Sequence, residues 1–148
     1  MVVAMFVIML AMLVLQGYGA HRRASYTDPL LAYLEQNLNA EDDTFFLWGR
    51  SITKYYFLTR RAAPTRFVYP YPLLMAGYAR PELVEELAAD LRTHRPDLII
   101  DITEDDDNLV PLLSDLPADL APLTAVIEAL YERDPAAPYV VYRLREPS

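Results

Sequence analysis

Cationic side chains stand among aromatic residues in a long stretch of this sequence that contains no acid. Between Thr44 and Arg80 there is no Asp or Glu, while ten Phe, Tyr and Trp residues and six Arg and Lys residues are present. Such groups suit the surface of a lipid bilayer, where cations meet phosphate head groups and aromatic rings are half buried. We therefore predict a phosphate- or lipid-binding set made of Arg50, Lys54, Arg60, Arg61 and Arg66.

Two other interpretations of this stretch are open. Cations with stacking aromatic rings also bind nucleic acid, but the sequence from Pro81 to Ser148 holds sixteen acids against five Arg, and we predict no nucleic-acid partner. In the other interpretation the cations are ordinary surface and the aromatic residues are ordinary core. Those core candidates are Phe45, Phe46, Trp48, Phe57 and Phe67.

No arrangement typical of catalysis is present. The acids from Glu104 to Asp107 could hold a metal, but consecutive loop residues cannot all face one ion, and charge runs are mostly solvated; we predict no metal site. His21 and His94 are too few and too scattered for a catalytic triad. The chain has no Cys and no glycine-rich nucleotide motif, and it lacks the nucleophile elbow of α/β hydrolases. We predict no catalytic residue and no cofactor.

The N-terminal segment is uncharged and strongly apolar. Residues 1–20 contain no charged side chain, and a helix of that length, at about 1.5 Å per residue, crosses a hydrocarbon core of roughly 30 Å. We predict a transmembrane helix here. There are two alternatives, a signal peptide and a buried helix. A signal peptide would need a basic N-terminal region, but no Lys or Arg precedes His21. The basic cluster from His21 to Arg23 favours a cytoplasmic location for the residues on its C-terminal side.

Helix and strand patterns alternate after residue 25. Helices are predicted over Tyr26–Leu38, with Asp28 as the N-cap, over Ser51–Leu58, over Pro81–His94 and over Leu123–Tyr131. Strands are predicted over Thr44–Trp48, Thr65–Tyr69, Leu98–Ile102 and Tyr139–Leu144. This alternation predicts an α/β fold, a small three-layer domain with a mostly parallel sheet of about four strands, preceded by one transmembrane helix. The predicted parts are residues 1–20, a juxtamembrane helix and turn at 21–43, and the α/β domain at 44–148.

Several short motifs resemble a known family. They include an apolar helix, then YLEQN, FLWG, YYFL, RR and PTRFVY, and later PELVEELAADLRTHRPDLII and a final YVVYRLRE. Together they are similar to the C-terminal region of bacterial multi-pass glycosyltransferases of the protein O-mannosyltransferase and aminoarabinose transferase group, which take a sugar from a polyprenyl-phosphate carrier. The family's catalytic acids lie in a loop between its first transmembrane helices, so the resemblance carries no catalytic residue over to this chain.

The resemblance implies a last transmembrane helix with an extracytoplasmic tail domain, as a fragment, a truncated reading frame or a separate subunit. The expected function is an accessory, membrane-anchored tail domain of a polyprenyl-phosphate-sugar glycosyltransferase, non-catalytic by itself. Expected partners are membrane lipid, a polyprenyl-phosphate sugar and an upstream membrane subunit. The alternative is a single-pass, membrane-anchored α/β interaction module unrelated to sugar transfer.

Overall fold

The computed structural model describes residues 28–50, 52–75, 77–103 and 110–145. The chain divides into two compact units, Met1–Asn37 and Leu38–Ser148. The described helix of the first unit is α1, Pro29–Asn37. The second unit contains, in chain order, β1 (Phe45–Trp48), α2 (Thr53–Thr59), α3 (Tyr71–Leu74), α4 (Pro81–His94), β2 (Leu98–Asp101), α5 (Ala121–Leu130), β3 (Tyr131–Asp134) and β4 (Val140–Leu144), with short 3-10 turns at Leu113–Asp115 and Ala118–Leu120.

Local signals account for the two best-defined helices. In α1 the Asp28 carboxylate accepts the backbone N–H groups of Leu30 at 3.1 Å and Leu31 at 3.4 Å, which satisfies donors that a helix start leaves unpaired. The prediction of this helix is confirmed. Helix α4 has the predicted bounds, with a proline at its first position and a basic last turn that complements the helix dipole.

The four strands form one mixed sheet in the order β1-β2-β4-β3. Only β1 and β2 are parallel, with Phe46 opposite Ile99, while β2 with β4 and β3 with β4 are antiparallel. The predicted four-stranded α/β fold is confirmed, but the prediction of a mostly parallel sheet is wrong. The reason is that β3 and β4 are joined by the five residues from Pro135 to Tyr139, a link long enough for a hairpin but too short for a parallel crossover.

Two predicted elements differ in the structure. Thr65–Tyr69 is not a strand: the chain bends there, and the Thr65 hydroxyl accepts the Phe67 N–H at 3.1 Å, the donor that a sheet ladder would need. Conversely, Tyr131 begins strand β3 rather than ending a helix. Glu132 and Arg133 are exposed there, as is common on edge strands. Helix α3 was not predicted.

The two faces of the sheet are covered by different helices. Successive residues of a strand point to opposite faces. Phe46, Trp48 and Ile99 belong to the core cluster that also contains the buried residues of α4 and α5. On the opposite face the Phe45 ring is stacked on Tyr56 of α2, with centroids 4.7 Å apart. Helices α2 and α4 therefore lie on opposite faces of the sheet.

No helix within the described ranges is long and apolar enough to cross a membrane. The transmembrane helix predicted for residues 1–20 lies outside the described residues, as does the single-pass topology that depends on it. Both stay predictions.

Candidate functional site

Helix α2 occupies the centre of the acid-free stretch, and two tyrosines attach it to the sheet. Tyr55 and Tyr56 are buried, and the Tyr56 hydroxyl accepts the backbone N–H of Leu47 at 3.2 Å. Leu47 lies on β1, the edge strand of the sheet, so this N–H points away from β2 and needs an acceptor from elsewhere. The inner face of α2 is therefore committed to the fold.

The outer face of α2 combines apolar and cationic side chains. Lys54, Phe57 and Leu58 are spaced i, i+3 and i+4 and share one helix face. Phe57 is 81% exposed and Leu58 is 48% exposed, while the Lys54 ammonium lies 4.6 Å from the centroid of the Tyr55 ring. A large aromatic side chain with this exposure has left most of its apolar surface in water, which marks the face as a candidate interaction surface. We call Lys54, Phe57, Leu58 and the neighbouring Arg60 the α2 face.

Arg60 ends the helix in a strained backbone conformation. Its φ is 57° and its ψ is 32°, and the N–H groups of Arg60 and Arg61 bond to the carbonyls of Phe57 and Tyr56, as in a Schellman motif. Glycine usually takes this position, because a left-handed conformation costs a residue with a side chain roughly 1–2 kcal/mol. The exposed guanidinium of Arg60 is thus kept at a site where glycine would be more stable.

Arg61, the next residue, is bound within the fold. Its guanidinium donates to the carbonyl oxygens of Leu38 at 3.3 Å and Glu41 at 3.2 Å, and to that of Asp43. These carbonyls belong to the loop that leads into β1. Arg61 therefore holds that loop, and its donors are already engaged by backbone oxygens.

Arg66 is also engaged within the chain, on another side of the sheet. Its Nε and Nη2 donate to the two carboxylate oxygens of Glu86 at 2.5 and 2.7 Å, and its guanidinium lies 4.8 Å from the Phe67 ring centroid. The hydrogen bond from Arg66 lowers the pKa of Glu86, and the same bond raises the pKa of Arg66. Because Glu86 is on α4, Arg66 sits on the face opposite α2.

The five predicted cations are thus not in one cluster. Arg50 is exposed after the carboxyl end of β1, and Lys54 and Arg60 lie at the two ends of α2. Arg61 holds the loop at the amino end of β1, and Arg66 pairs across to α4. One exposed surface therefore combines two of these cations with two apolar side chains: Lys54, Phe57, Leu58 and Arg60.

The carboxyl ends of the parallel strands, where α/β proteins often bind ligands, are filled by the chain itself. The Trp48 indole N–H donates to the Pro111 carbonyl at 2.7 Å. The carboxylate of Asp101, only 5% exposed, accepts the N–H groups of Thr103 at 2.9 Å and Leu113 at 2.6 Å. These side chains bond to the backbone of Thr103, Pro111 and Leu113, so their polar atoms are already engaged.

Metal and acid–base chemistry find no support in the described ranges. No group of three His, Asp or Glu side chains there could hold an ion, and the acids Glu104–Asp107, for which no metal site is predicted, lie outside them. His94 ends α4, with Nδ1 3.0 Å from the Asp90 carbonyl. A 220 Å³ groove on the β3–β4 hairpin contains Asp134, but its hydrogen bond from Arg143 lowers the pKa of that carboxyl and keeps it ionised.

Sequence reasoning did not predict that Phe57 and Leu58 are exposed. Phe57 was a core candidate together with four other aromatic residues, and those four are buried. Helical spacing is the signal that distinguishes Phe57 from the buried aromatic residues. Tyr55 and Tyr56 face inward, so Phe57 and Leu58 must face outward beside Lys54.

Comparison with protein-family models, with curated proteins and with solved structures gave no match. The likeness to glycosyltransferase tails therefore rests on the motifs of the sequence.

Proposed function

We propose that this chain is a non-catalytic accessory domain that works at a membrane surface, beside an integral-membrane glycosyltransferase that uses a polyprenyl-phosphate-linked sugar. The observation that carries the membrane part is the α2 face, where Phe57 and Leu58 are exposed between Lys54 and Arg60. Cations beside exposed apolar side chains match the boundary between lipid phosphates and acyl chains. The uncharged residues 1–20 support the same location.

The sugar-transfer part rests on the family resemblance. The chain's role in such a system is binding and positioning. The polar groups of Asp101, Trp48 and Arg61 hold the chain's own backbone and are not available for catalysis. The carrier presents a phosphate at the depth of the lipid head groups. Lys54 and Arg60 have the charge to contact it, with Arg50 nearby in sequence.

Photo-crosslinking tests this proposal. The full chain is reconstituted in nanodiscs that contain a photoreactive polyprenyl-phosphate sugar, and labelled peptides are mapped. We expect labelling within residues 50–61, suppressed by excess unlabelled polyprenyl-phosphate sugar. Labelling no stronger than that from photoreactive phosphatidylcholine would rule out a specific role for the carrier.

One observation favours the second candidate function, a membrane-anchored interaction module. Strand β3 lies at the edge of the sheet and pairs, within the described part of the chain, with β4 on one side only. Such an edge can accept an extended peptide by strand addition. Binding of a protein partner that protects the amide of Arg133 from hydrogen exchange, with no carrier crosslink, would favour this function over the first.

A further inference from the structure

We infer that α2 docks onto anionic bilayers, with Phe57 and Leu58 inserted among the lipid head groups and Lys54 and Arg60 in contact with lipid phosphates. This inference rests on the proposed membrane location and adds to it the insertion of the apolar pair and the charge of the lipid. The contact is made by side chains of this seven-residue helix and by Arg60 at its C-cap.

The positive charge of the α2 face favours an anionic bilayer as its binding partner. Helix α2 and its C-cap carry two cations, Lys54 and Arg60, and no acid, so no carboxylate of the helix itself opposes lipid phosphate. The apolar pair lies between Lys54 in the first turn and Arg60 at the C-cap, and such a mixture of exposed apolar and cationic side chains is typical of interfacial helices. An anionic bilayer offers negative charge and apolar volume together.

The backbone conformation of Arg60 allows a control variant to be chosen. Arg60 ends α2 at a left-handed C-terminal position that favours glycine. Arg95 provides a matched comparison, because it ends α4 in the same conformation, with φ 42°, and is also exposed. Helix α4 lies on the opposite face of the sheet, so Arg95 should not reach the bilayer that α2 contacts.

The experiment uses the full chain in vesicles of phosphatidylcholine with or without phosphatidylglycerol. Because the sequence has no Cys, a single Thr53→Cys substitution allows an environment-sensitive fluorophore to be placed beside the α2 face, and Ala89→Cys places one on the exposed side of α4. We expect the label at position 53 to shift to the blue and to be quenched by spin-labelled lipid when phosphatidylglycerol is present. The label at position 89 should stay in water.

Variants then identify the contacting residues. Phe57→Ser should lower the ratio of docked to undocked protein about tenfold, from lost apolar burial. Arg60→Gly should lower it about fivefold, Arg60→Lys should restore it, and Arg95→Gly should leave it unchanged.

Equal effects of Arg60→Gly and Arg95→Gly, or a label at position 53 that ignores phosphatidylglycerol, would overturn the inference. If that label stays in water while the chain remains in the membrane and crosslinks the carrier, docking fails but the proposed function stands. If the chain does not associate with vesicles at all, both fail.

Discussion

Two buried tyrosines should respond in opposite directions to the same substitution. The Tyr56 hydroxyl accepts the Leu47 N–H, whereas the Tyr131 hydroxyl, in a side chain 2% exposed, has no hydrogen-bond partner among the described residues. Tyr56→Phe leaves a buried backbone donor without an acceptor. Tyr131→Phe removes a hydroxyl that is buried without a partner. Both changes keep the aromatic ring and its packing.

The magnitudes follow from the cost of unpaired polar groups. Leaving a buried donor unsatisfied costs about 1–3 kcal/mol, and the 3.2 Å distance at Tyr56 places this bond at the weaker end. We therefore expect Tyr56→Phe to lower the free energy of unfolding by about 1–2 kcal/mol. Tyr131→Phe should raise it by about 1 kcal/mol, because burying an unpaired hydroxyl carries a penalty of that order.

Denaturant unfolding of the full chain in a nonionic detergent at fixed concentration measures both values. The protein has one tryptophan, Trp48, which is 1% exposed, so its emission reports loss of the core. The midpoints should move apart, Tyr56→Phe downward and Tyr131→Phe upward, at an unchanged slope. Destabilisation of similar size in both variants would refute this hydrogen-bond assignment.

Three further predictions concern pH, backbone strain and Arg61. Burial raises the pKa of Tyr56 and Tyr131 above the ordinary value near 10. The contribution of these two groups to the free energy of unfolding should therefore be constant below pH 10 and then fall by about 1.4 kcal/mol per pH unit for each tyrosine. Either Phe variant should flatten this fall in alkaline unfolding curves. Gly49→Ala should lower the free energy of unfolding by at least about 2 kcal/mol, because φ is 139° and the added Cβ would lie 2.8 Å from a side-chain carbon. Gly77→Ala should cost less, because no atom lies within 4 Å of a Cβ added there. Equal costs in denaturant unfolding would contradict the close contact at Gly49. Arg61→Lys should cost about 1–2 kcal/mol through lost bonds to backbone carbonyls but leave vesicle docking unchanged; weakened docking at unchanged stability would reassign Arg61 to the lipid surface.

Elements with local signals could be predicted from the sequence. Asp28 and Pro29 mark the start of α1, and the proline and charge pattern of Pro81–His94 gives both ends of α4. The apolar runs of β1 and β2 indicate strands that are buried, as the structure confirms. In these cases the residues that decide the structure are neighbours along the chain.

Features that depend on distant partners could not be predicted. The direction of β4 depends on its hairpin with β3, and β3 has too few apolar residues to stand out as a strand. Thr65–Tyr69 is a different case: it has the composition of a strand, but a local hydrogen bond from the Phe67 N–H to the Thr65 hydroxyl competes with sheet pairing.

The same limit applies to the candidate site. Composition identified the cations, but only the fold shows that Arg61 holds a loop and Arg66 pairs with α4, whereas Lys54 and Arg60 lie at the two ends of α2.

Hydrogen–deuterium exchange tests the central claim, docking of the α2 face on an anionic bilayer, most directly. The full chain is compared in nanodiscs of neutral and of anionic lipid, and exchange is followed in peptides that cover α2 and α4. We predict slower exchange across Lys54–Arg61 in anionic lipid, weakened by added salt, and no change across Pro81–His94. Identical exchange of α2 in both lipids, or equal slowing of both helices, would contradict the claim.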